Sequence, residues 1–594
     1  FETTNKHSLG SLTSLKIDDY SCFDLKKNLF VGVVNYGKNL PITNYLLKNP
    51  EFLNYAVKQG KDFIIDFKNL NKLPNNIKKI VEETIDDFND YGGYLNDLGE
   101  HVINLKSPIV GPHFAVNLLL GDRTSFKEPL LTTPKSVVDQ FGGGSFRGPA
   151  ANQVLATRWD MRPEENGNPF NRQFYIVENN KQIFYSHNII DNVKSAVCTH
   201  KVNNTVIEYE TNCGLKIKRI LYIKPQENED EPIALEKQVI EIENTTNNER
   251  SLNVVFTGMF GSADPACQYV DVIFQTVANQ SNVIYKDNTP IAIAPDYYPS
   301  YAREYTRFFC LEKDGFDSYS YDCGDFIGTG SIEFPEKLNF LGNKPCSKGP
   351  SFFAISKNIK VKANSKEVIV TSTGLVDENH DFYKAIEYSL TNDYSNELKK
   401  IEENFVKYAS FFQVNTENKQ FNNYINRNLP FQVMYQTYVS RAFAQTQKGY
   451  REIGFREIQD IYASMNYFIH NGQKELVKQM LAKWISNVYE FGYANHNFFF
   501  EGKEPGMCSD DQIWLIEAIY MYLDLTKDYD FLNEEFLMAG SKNKRSLYET
   551  LKAIITYSGR ISVGKHGLPL LDRADWNDCL IIDNDCINGP TKEK

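Results

Sequence analysis

At 594 residues the chain exceeds what one core can organise, and roughly three or four domains of about 150 residues are expected. Hydrophobic residues at 42% and aromatics at 13%, with 35 Tyr and 40 Phe, exclude a disordered chain and supply flat rings suited to stacking on sugars. A formal net charge of −12 excludes sequence-independent affinity for nucleic acid or an anionic membrane, both of which need a basic face, and favours a neutral or small substrate.

The chain opens on "FETTNKHSLGSLTSLKIDDY", in which no basic segment precedes an apolar run, and no stretch of 18 apolar residues follows anywhere. Its ten cysteines are scattered, without CxxC or metal-ligand spacing. The expectation is a cytoplasmic protein with reduced thiols, no membrane contact, and no metal or other cofactor.

Residues 1–130 read as a mixed α/β region. Ile77, Ile80, Val81, Ile85 and Phe88 recur at helical spacing and are followed by the stop Gly92-Gly93. From 131 to 376 the period changes to two. Apolar runs alternate around Asn179-Asn180, around Asn212-Cys213-Gly214, and across a polar turn within 235–260, which predicts antiparallel hairpins and a large β-sandwich closed by a last strand near 358–375. Residues 377–417 carry Leu398, Ile401, Phe405 and Tyr408 at three- and four-residue spacing and predict a helical linker. Residues 418–594 predict further helices at about 418–445, 455–470, 473–490, 509–525 and 545–557. Short connections between them suggest helical hairpins, packed as a bundle or an α/α toroid.

Three segments of the helical part concentrate polar groups. In "QKGYREIGFREIQDIY" (447–462), Arg451, Arg456, Glu457 and Asp460 stand at a loop-to-helix junction, with Arg456 and Asp460 four residues apart. In "GMCSDDQIWLIEAIY" (506–520), Ser509 or Asp510 is placed to cap a helix, while Asp511 and Trp514 fall one turn apart. In "GLPLLDRADWNDCLIIDND" (567–585), Asp575 and Asp578 bracket Trp576 in a loop. Taken singly, the Arg-Asp pair reads equally as a solvated surface bridge, and Ser-Asp as a cap and nothing more. An aromatic between two carboxylates is poor core material, but it suits a pyranose whose apolar face stacks on the ring while its hydroxyls donate to the carboxylates.

Together, "GFREIQD", "CSDDQIWL" and "HGLPLLDRADWNDCL" resemble, in order and spacing, three blocks of glycoside hydrolase family 94, the family of cellobiose phosphorylase. The resemblance implies a multidomain α+β protein: a large antiparallel β-sandwich, a helical linker, and an (α/α)6 barrel of which only the first part is present before Lys594. It also implies inverting phosphorolysis of β-glucosidic bonds in β-gluco-oligosaccharides, giving α-glucose 1-phosphate, with inorganic phosphate as co-substrate. Asp578 takes the role of general acid, Trp576 lines the sugar site, and Arg451, Arg456, Glu457, Asp460, Asp511 and Asp575 hold the sugar. Glu457 stands where the family has Asp, and Cys579 where it has Gly. The phosphate donors of the family come from later barrel segments. The long N-terminal region resembles the oligoglucan phosphorylases, which favours β-1,2-glucans over cellobiose or β-1,3-glucans. A homodimer is compatible with this reading. Two others stay open: an inverting (α/α)6 hydrolase, with Asp460, Asp511 or Glu501 as base, and a non-catalytic carbohydrate-binding fragment.

Overall fold

The computed structural model describes residues 20–24, 29–35, 42–47, 49–60, 62–89, 93–107, 116–121, 133–147, 171–187, 192–226, 234–260, 281–295, 305–312, 315–345, 352–377, 380–390, 393–439, 456–495, 497–498, 503–504 and 510–570. They fall into two compact units, Phe1–Tyr94 with Val102–Pro112, and Leu95–His101 with His113–Lys594.

In the first unit, β1 (Tyr20–Asp24) pairs antiparallel with β2 (Leu29–Val34), and β2 pairs in parallel with β3 (Asp62–Asp66). The parallel pair needs a crossover, supplied by α1 (Ile42–Leu46) and α2 (Pro50–Gln59). The start of α2 is set by Asn49, whose side chain accepts from the amides of Glu51 and Phe52, and by Pro50, whose missing N–H costs nothing there. The predicted helix is α3 (Asn75–Asn89), with Ile77 and Val81 buried against Val31, Val33, Phe52 and Ile65. Short strands β4 (Gly93–Leu95) and β5 (His101–Asn104) follow at the boundary, with Leu95 and His101 assigned to the second unit.

The second unit contains the sandwich. One sheet takes β9 (Gln173–Glu178), β10 (Lys181–Tyr185), β15 (Arg250–Met259), β19 (Ser318–Ser320) and β20 (Phe352–Val361) in the order β10-β9-β15-β20-β19. The facing sheet takes from this unit β11 (Val193–Lys201), β12 (Asn204–Thr211), β13 (Leu215–Ile223), β14 (Ala234–Asn244), β16 (Asn282–Lys286), β17 (Thr289–Pro295), β18 (Tyr305–Leu311) and β21 (Ser365–Asp377), in the order β16-β17-β18-β21-β14-β13-β12-β11. The sheets meet through rings: Phe184 lies 5.1 Å from Tyr209, and Phe353 lies 4.7 Å from Phe309. A short helix, α4 (Cys323–Ile327), packs Phe326 against Tyr175 on the first sheet.

Two of the expected hairpins form as read. β9–β10 turns at Asn179-Asn180, both with positive φ, and β12–β13 turns at the segment ending in Gly214, φ +81°. The expected hairpin within 235–260 is different. β14 and β15 belong to opposite sheets, and the turn between them crosses the sandwich. The region 358–375 is likewise two strands, β20 and β21, again in opposite sheets. The two crossings lie side by side, joined by the Asn364 N–H donating to the Thr246 carbonyl (3.2 Å) and by one buried side-chain amide. Asn244 donates to the carbonyls of Asn248 (2.7 Å), Val361 (3.2 Å) and Lys362 (3.2 Å), and accepts from the backbone N–H of Thr246 (3.0 Å). Asn244→Ala removes these bonds at once and is expected to cost about 3 kcal/mol in chemical denaturation. An unchanged midpoint would mean that the backbone alone holds the crossings.

A three-stranded sheet of β6 (Val116–Leu120), β7 (Lys135–Asp139) and β8 (Gly144–Arg147) is covered on both faces. Alternation splits it: Leu119, Val138 and Phe146 pack with Leu221, Ile223 and Leu375 of the sandwich, whereas Leu118, Leu120 and Val137 pack with the helical core. On the sandwich side, Arg172 forms a bidentate pair with Glu236 (2.6 and 3.1 Å), and both contact Ser136 of β7.

The linker comprises α5 (Phe382–Ser389) and α6 (Tyr394–Ala409), and a buried charge cluster fixes α6 to the sheet. Lys237 of β14 pairs with Glu312 and lies 3.7 Å from Glu397 of α6. Glu397 also pairs with Lys224 (3.4 Å) and accepts from the Tyr222 hydroxyl (2.6 Å). Burial pushes the Glu312 carboxyl up to about 7 against the pull of Lys237, and holds the Lys224 ammonium below its ordinary value.

The helical part follows as α7 (Lys419–Asn423), continued by a π turn into α8 (Leu429–Val439), then α9 (Ile458–His470), α10 (Lys474–Ile485), α11 (Asp511–Thr526) and α12 (Leu547–Thr556). Trp484, Met465, Leu481, Leu515, Ile519 and Ile554 form its core. No helix among the described residues is long and apolar enough to cross a membrane.

Candidate active site

α11 carries apolar residues on almost every side, whereas α9 is amphipathic. They lie side by side and begin at the same end. Tyr462, in the second turn of α9, meets Trp514, in the first turn of α11, with ring centroids 5.3 Å apart. Immediately before α9, β22 (Arg456–Glu457) pairs with β23 (Asn497–Phe498), and β23 with β24 (Lys503–Glu504). The segment between α10 and α11 is thus hydrogen-bonded to the residues that begin α9.

Asp511 opens α11 and is 3% exposed; Gln512 beside it is 1% exposed. The Gln512 side-chain amide donates to the Ser558 hydroxyl (3.1 Å) in the π turn Tyr557–Ile561 that closes α12. That bond brings the end of α12 to the start of α11. The ends from which all three motif segments emerge therefore lie together, at one end of the helical array. Chemically, this gathers buried carboxylate and amide groups beside aromatic rings, which is what binding a polyhydroxylated, uncharged ring requires. Smaller strands β25 (Glu535–Leu537) and β26 (Lys544–Ser546) form a hairpin between α11 and α12.

Of the residues singled out in the sequence, Arg456 and Glu457 lie on β22, Asp460 in the first turn of α9, and Asp511 at the start of α11. Arg451, Asp575, Trp576 and Asp578 lie outside the described residues, as do Ser509 and Glu501. Two local expectations change. Arg456 is on a strand while Asp460 is helical, so they do not share a helical face as an i, i+4 pair. Asp510 occupies the cap position of α11 without a side-chain cap bond; its carboxylate accepts from the Trp514 indole N–H at 3.1 Å and fixes that ring instead. Gln512 and Tyr462 were not among the sequence candidates. The available signal was a polar residue at the buried edge of an otherwise apolar helix.

Residues 135–391 match the glycosyl hydrolase 94 supersandwich domain, and residues 406–589 match the catalytic domain of the glycosyl hydrolase 94 superfamily. The chain belongs to glycosyl hydrolase family 94. The family 94 catalytic match includes every candidate site residue from Arg451 to Asp578. Among curated relatives, the N,N'-diacetylchitobiose phosphorylase of Vibrio proteolyticus is 40% identical over 73 residues, 12% of this chain and 9% of that one. The 3-O-beta-D-glucopyranosyl-beta-D-glucuronide phosphorylase of Paenibacillus borealis is 22% identical over 284 residues, 46% of this chain and 34% of that one. The cyclic beta-(1,2)-glucan synthase NdvB of Rhizobium meliloti (strain 1021) is 24% identical over 297 residues, 46% of this chain and 10% of that one. The family 94 chain thus spans between 9% and 34% of these relatives' own lengths.

The described cysteines Cys198, Cys213, Cys310 and Cys323 are free thiols. Burial raises Cys198 well above the usual thiol range and pushes Cys310 up to about 12, so neither is a nucleophile in this family 94 fold.

Proposed function

We propose that this family 94 chain forms the sandwich, linker and first part of the (α/α)6 barrel of an inverting β-glucoside phosphorylase. The reaction transfers a glucosyl unit from a β-gluco-oligosaccharide to inorganic phosphate. A phosphate oxygen bonds to C1 as the C1–O glycosidic bond breaks, Asp578 gives its proton to the leaving oxygen, and the products are α-glucose 1-phosphate and the shortened oligosaccharide. What supports this reading is that the described starts of α9 and α11 and the end of α12, next to which the three motifs stand in the sequence, lie together in a chain matched by both family 94 domains.

One carboxylic acid suffices. An inverting hydrolase needs a second carboxylate to activate water. Phosphate is already an anion and attacks without a base. Arg451, Arg456, Glu457, Asp460, Asp511 and Asp575 then serve to orient the sugar, with Trp576 stacked on it. β-1,2-Linked glucans are the preferred substrate in this reading; a relative named as a cyclic beta-(1,2)-glucan synthase favours them. Phosphate is the only co-substrate required.

The test is incubation of the complete protein with sophoro-, laminari- and cello-oligosaccharides, with and without phosphate. Glucose 1-phosphate is expected only in its presence, and fastest from the β-1,2 series. Equal cleavage in phosphate-free buffer would assign a hydrolase, and binding with no cleavage of any series would leave a carbohydrate-binding protein.

A further inference from the structure

The loop after α10 carries aromatic rings that none of the three motifs uses. Phe491 lies nearly parallel to Tyr489 and Tyr493, with centroids 5.7 and 6.2 Å away and planes inclined by 18° and 16°. Tyr557 backs the group, 5.6 Å from Phe491 and 5.4 Å from Tyr493. Phe491 nevertheless keeps 54% of its surface exposed.

This ring is not left out by a loose loop. Gly492 has φ +97°, and a Cβ there would stand 2.2 Å from the Ala553 carbonyl oxygen, so only glycine lets the loop press against α12. Arg545 donates to the carbonyls of Tyr489 (2.8 Å) and Glu490 (2.5 Å), and to the Thr550 hydroxyl (2.9 Å). The Tyr489 hydroxyl donates to Asn495 (3.1 Å), whose fully buried amide donates in turn to Asn487 (3.1 Å). Such bracing holds a flat apolar surface in place before any ligand arrives, so little ordering entropy is lost on contact.

The group also borders the candidate active site. Ser558, next to Tyr557, is the partner of Gln512, and beyond Asn495 the chain reaches β23, which pairs with Arg456 and Glu457. We propose that the Phe491 platform is a sugar-stacking subsite for the oligosaccharide chain, taking a glucosyl unit remote from the cleaved bond. A β-glucopyranosyl ring carries its hydroxyls equatorially and presents C–H faces of about the breadth of a phenyl ring, which is the shape this platform receives. The inference rests on the proposed function and adds a preference for longer chains.

The experiment uses the full protein and compares Phe491→Ala, Phe491→Trp and the parent on a β-gluco-disaccharide and the matching pentasaccharide. The pentasaccharide-to-disaccharide ratio of kcat/KM is expected to fall about tenfold in Phe491→Ala, the stacking of one ring being worth roughly that factor, and to be kept in Phe491→Trp. An unchanged ratio with an active parent overturns the subsite. A fall in self-association without a change in ratio overturns it too, and assigns the ring to contact between copies. If the parent is inactive, calorimetric titration with the pentasaccharide decides separately: tighter binding to the parent than to Phe491→Ala sustains the subsite while the reaction fails, and equal binding removes both.

Discussion

Replacing Asp578 with Asn is expected to lower turnover about 10²- to 10⁴-fold while oligosaccharide binding changes little. The amide keeps the shape of the carboxyl and most of its hydrogen bonds, but it has no proton of suitable acidity to give. In the proposed reaction phosphate attacks without a base, so all the proton transfer would fall on this one group, with no second carboxylate to take its place. Asp575→Asn should act on positioning and cost a smaller factor. A leaving group that needs no proton separates chemistry from misfolding: β-glucosyl fluoride with phosphate should partly rescue Asp578→Asn in steady-state assays. No rescue, together with Asp575→Asn as the deader enzyme, would move the acid to the other carboxylate.

The largest effect on stability is expected at Lys237. Its side chain is fully buried between Glu312 and Glu397, so Lys237→Met leaves the Glu312 carboxyl away from water without its ion-pair partner, while Glu397 keeps Lys224. A loss of about 3–5 kcal/mol is expected from denaturant midpoints. The pH dependence carries a sign. Glu312 titrates at about 7 in the folded protein, above its ordinary 4.5, so the folded state binds more protons across that interval and stability falls as pH rises through it. Without the Lys237 ammonium the carboxyl titrates higher still. The penalty should therefore be larger at pH 8 than at pH 5.5. A penalty independent of pH would show that Glu312 is not the group left uncompensated.

What was legible in the sequence was local. Asn179-Asn180 reads as a hairpin because asparagine tolerates the left-handed backbone that such a turn needs, and both residues adopt it. The apolar period of α3 survives because one face of it packs. The β14–β15 turn has the same polar composition as a hairpin turn yet crosses between sheets. The deciding contact joins Asn244 to Val361, 117 positions away, and no local pattern carries it. Glu236 and Lys237 are consecutive charged residues on opposite faces of β14, a composition that suggests solvent, although both are buried against charges from distant strands or helices. The same division holds at the candidate site. Asp511 was visible as a helix start, and the three motifs as family 94 blocks. The bond from Gln512 to Ser558 spans 46 positions and depends on α11 and α12 lying together. Arg456 and Asp460 look like a helical pair only while the strand that precedes α9 is unseen.

The sheet β6–β7–β8 has a bearing on engineering by domain exchange. The supersandwich match begins at residue 135, which coincides with the first residue of β7 and leaves β6 outside. Yet β6 pairs along the whole of β7, from Val116 opposite Asp139 to Leu120 opposite Lys135, and Leu118 and Leu120 belong to the helical core. A graft cut at that boundary would carry away a strand without its ladder partner and leave the receiving helices short of two core leucines. Swaps between members should instead treat residues 116–147 as shared property, transplanted with both neighbours or with neither.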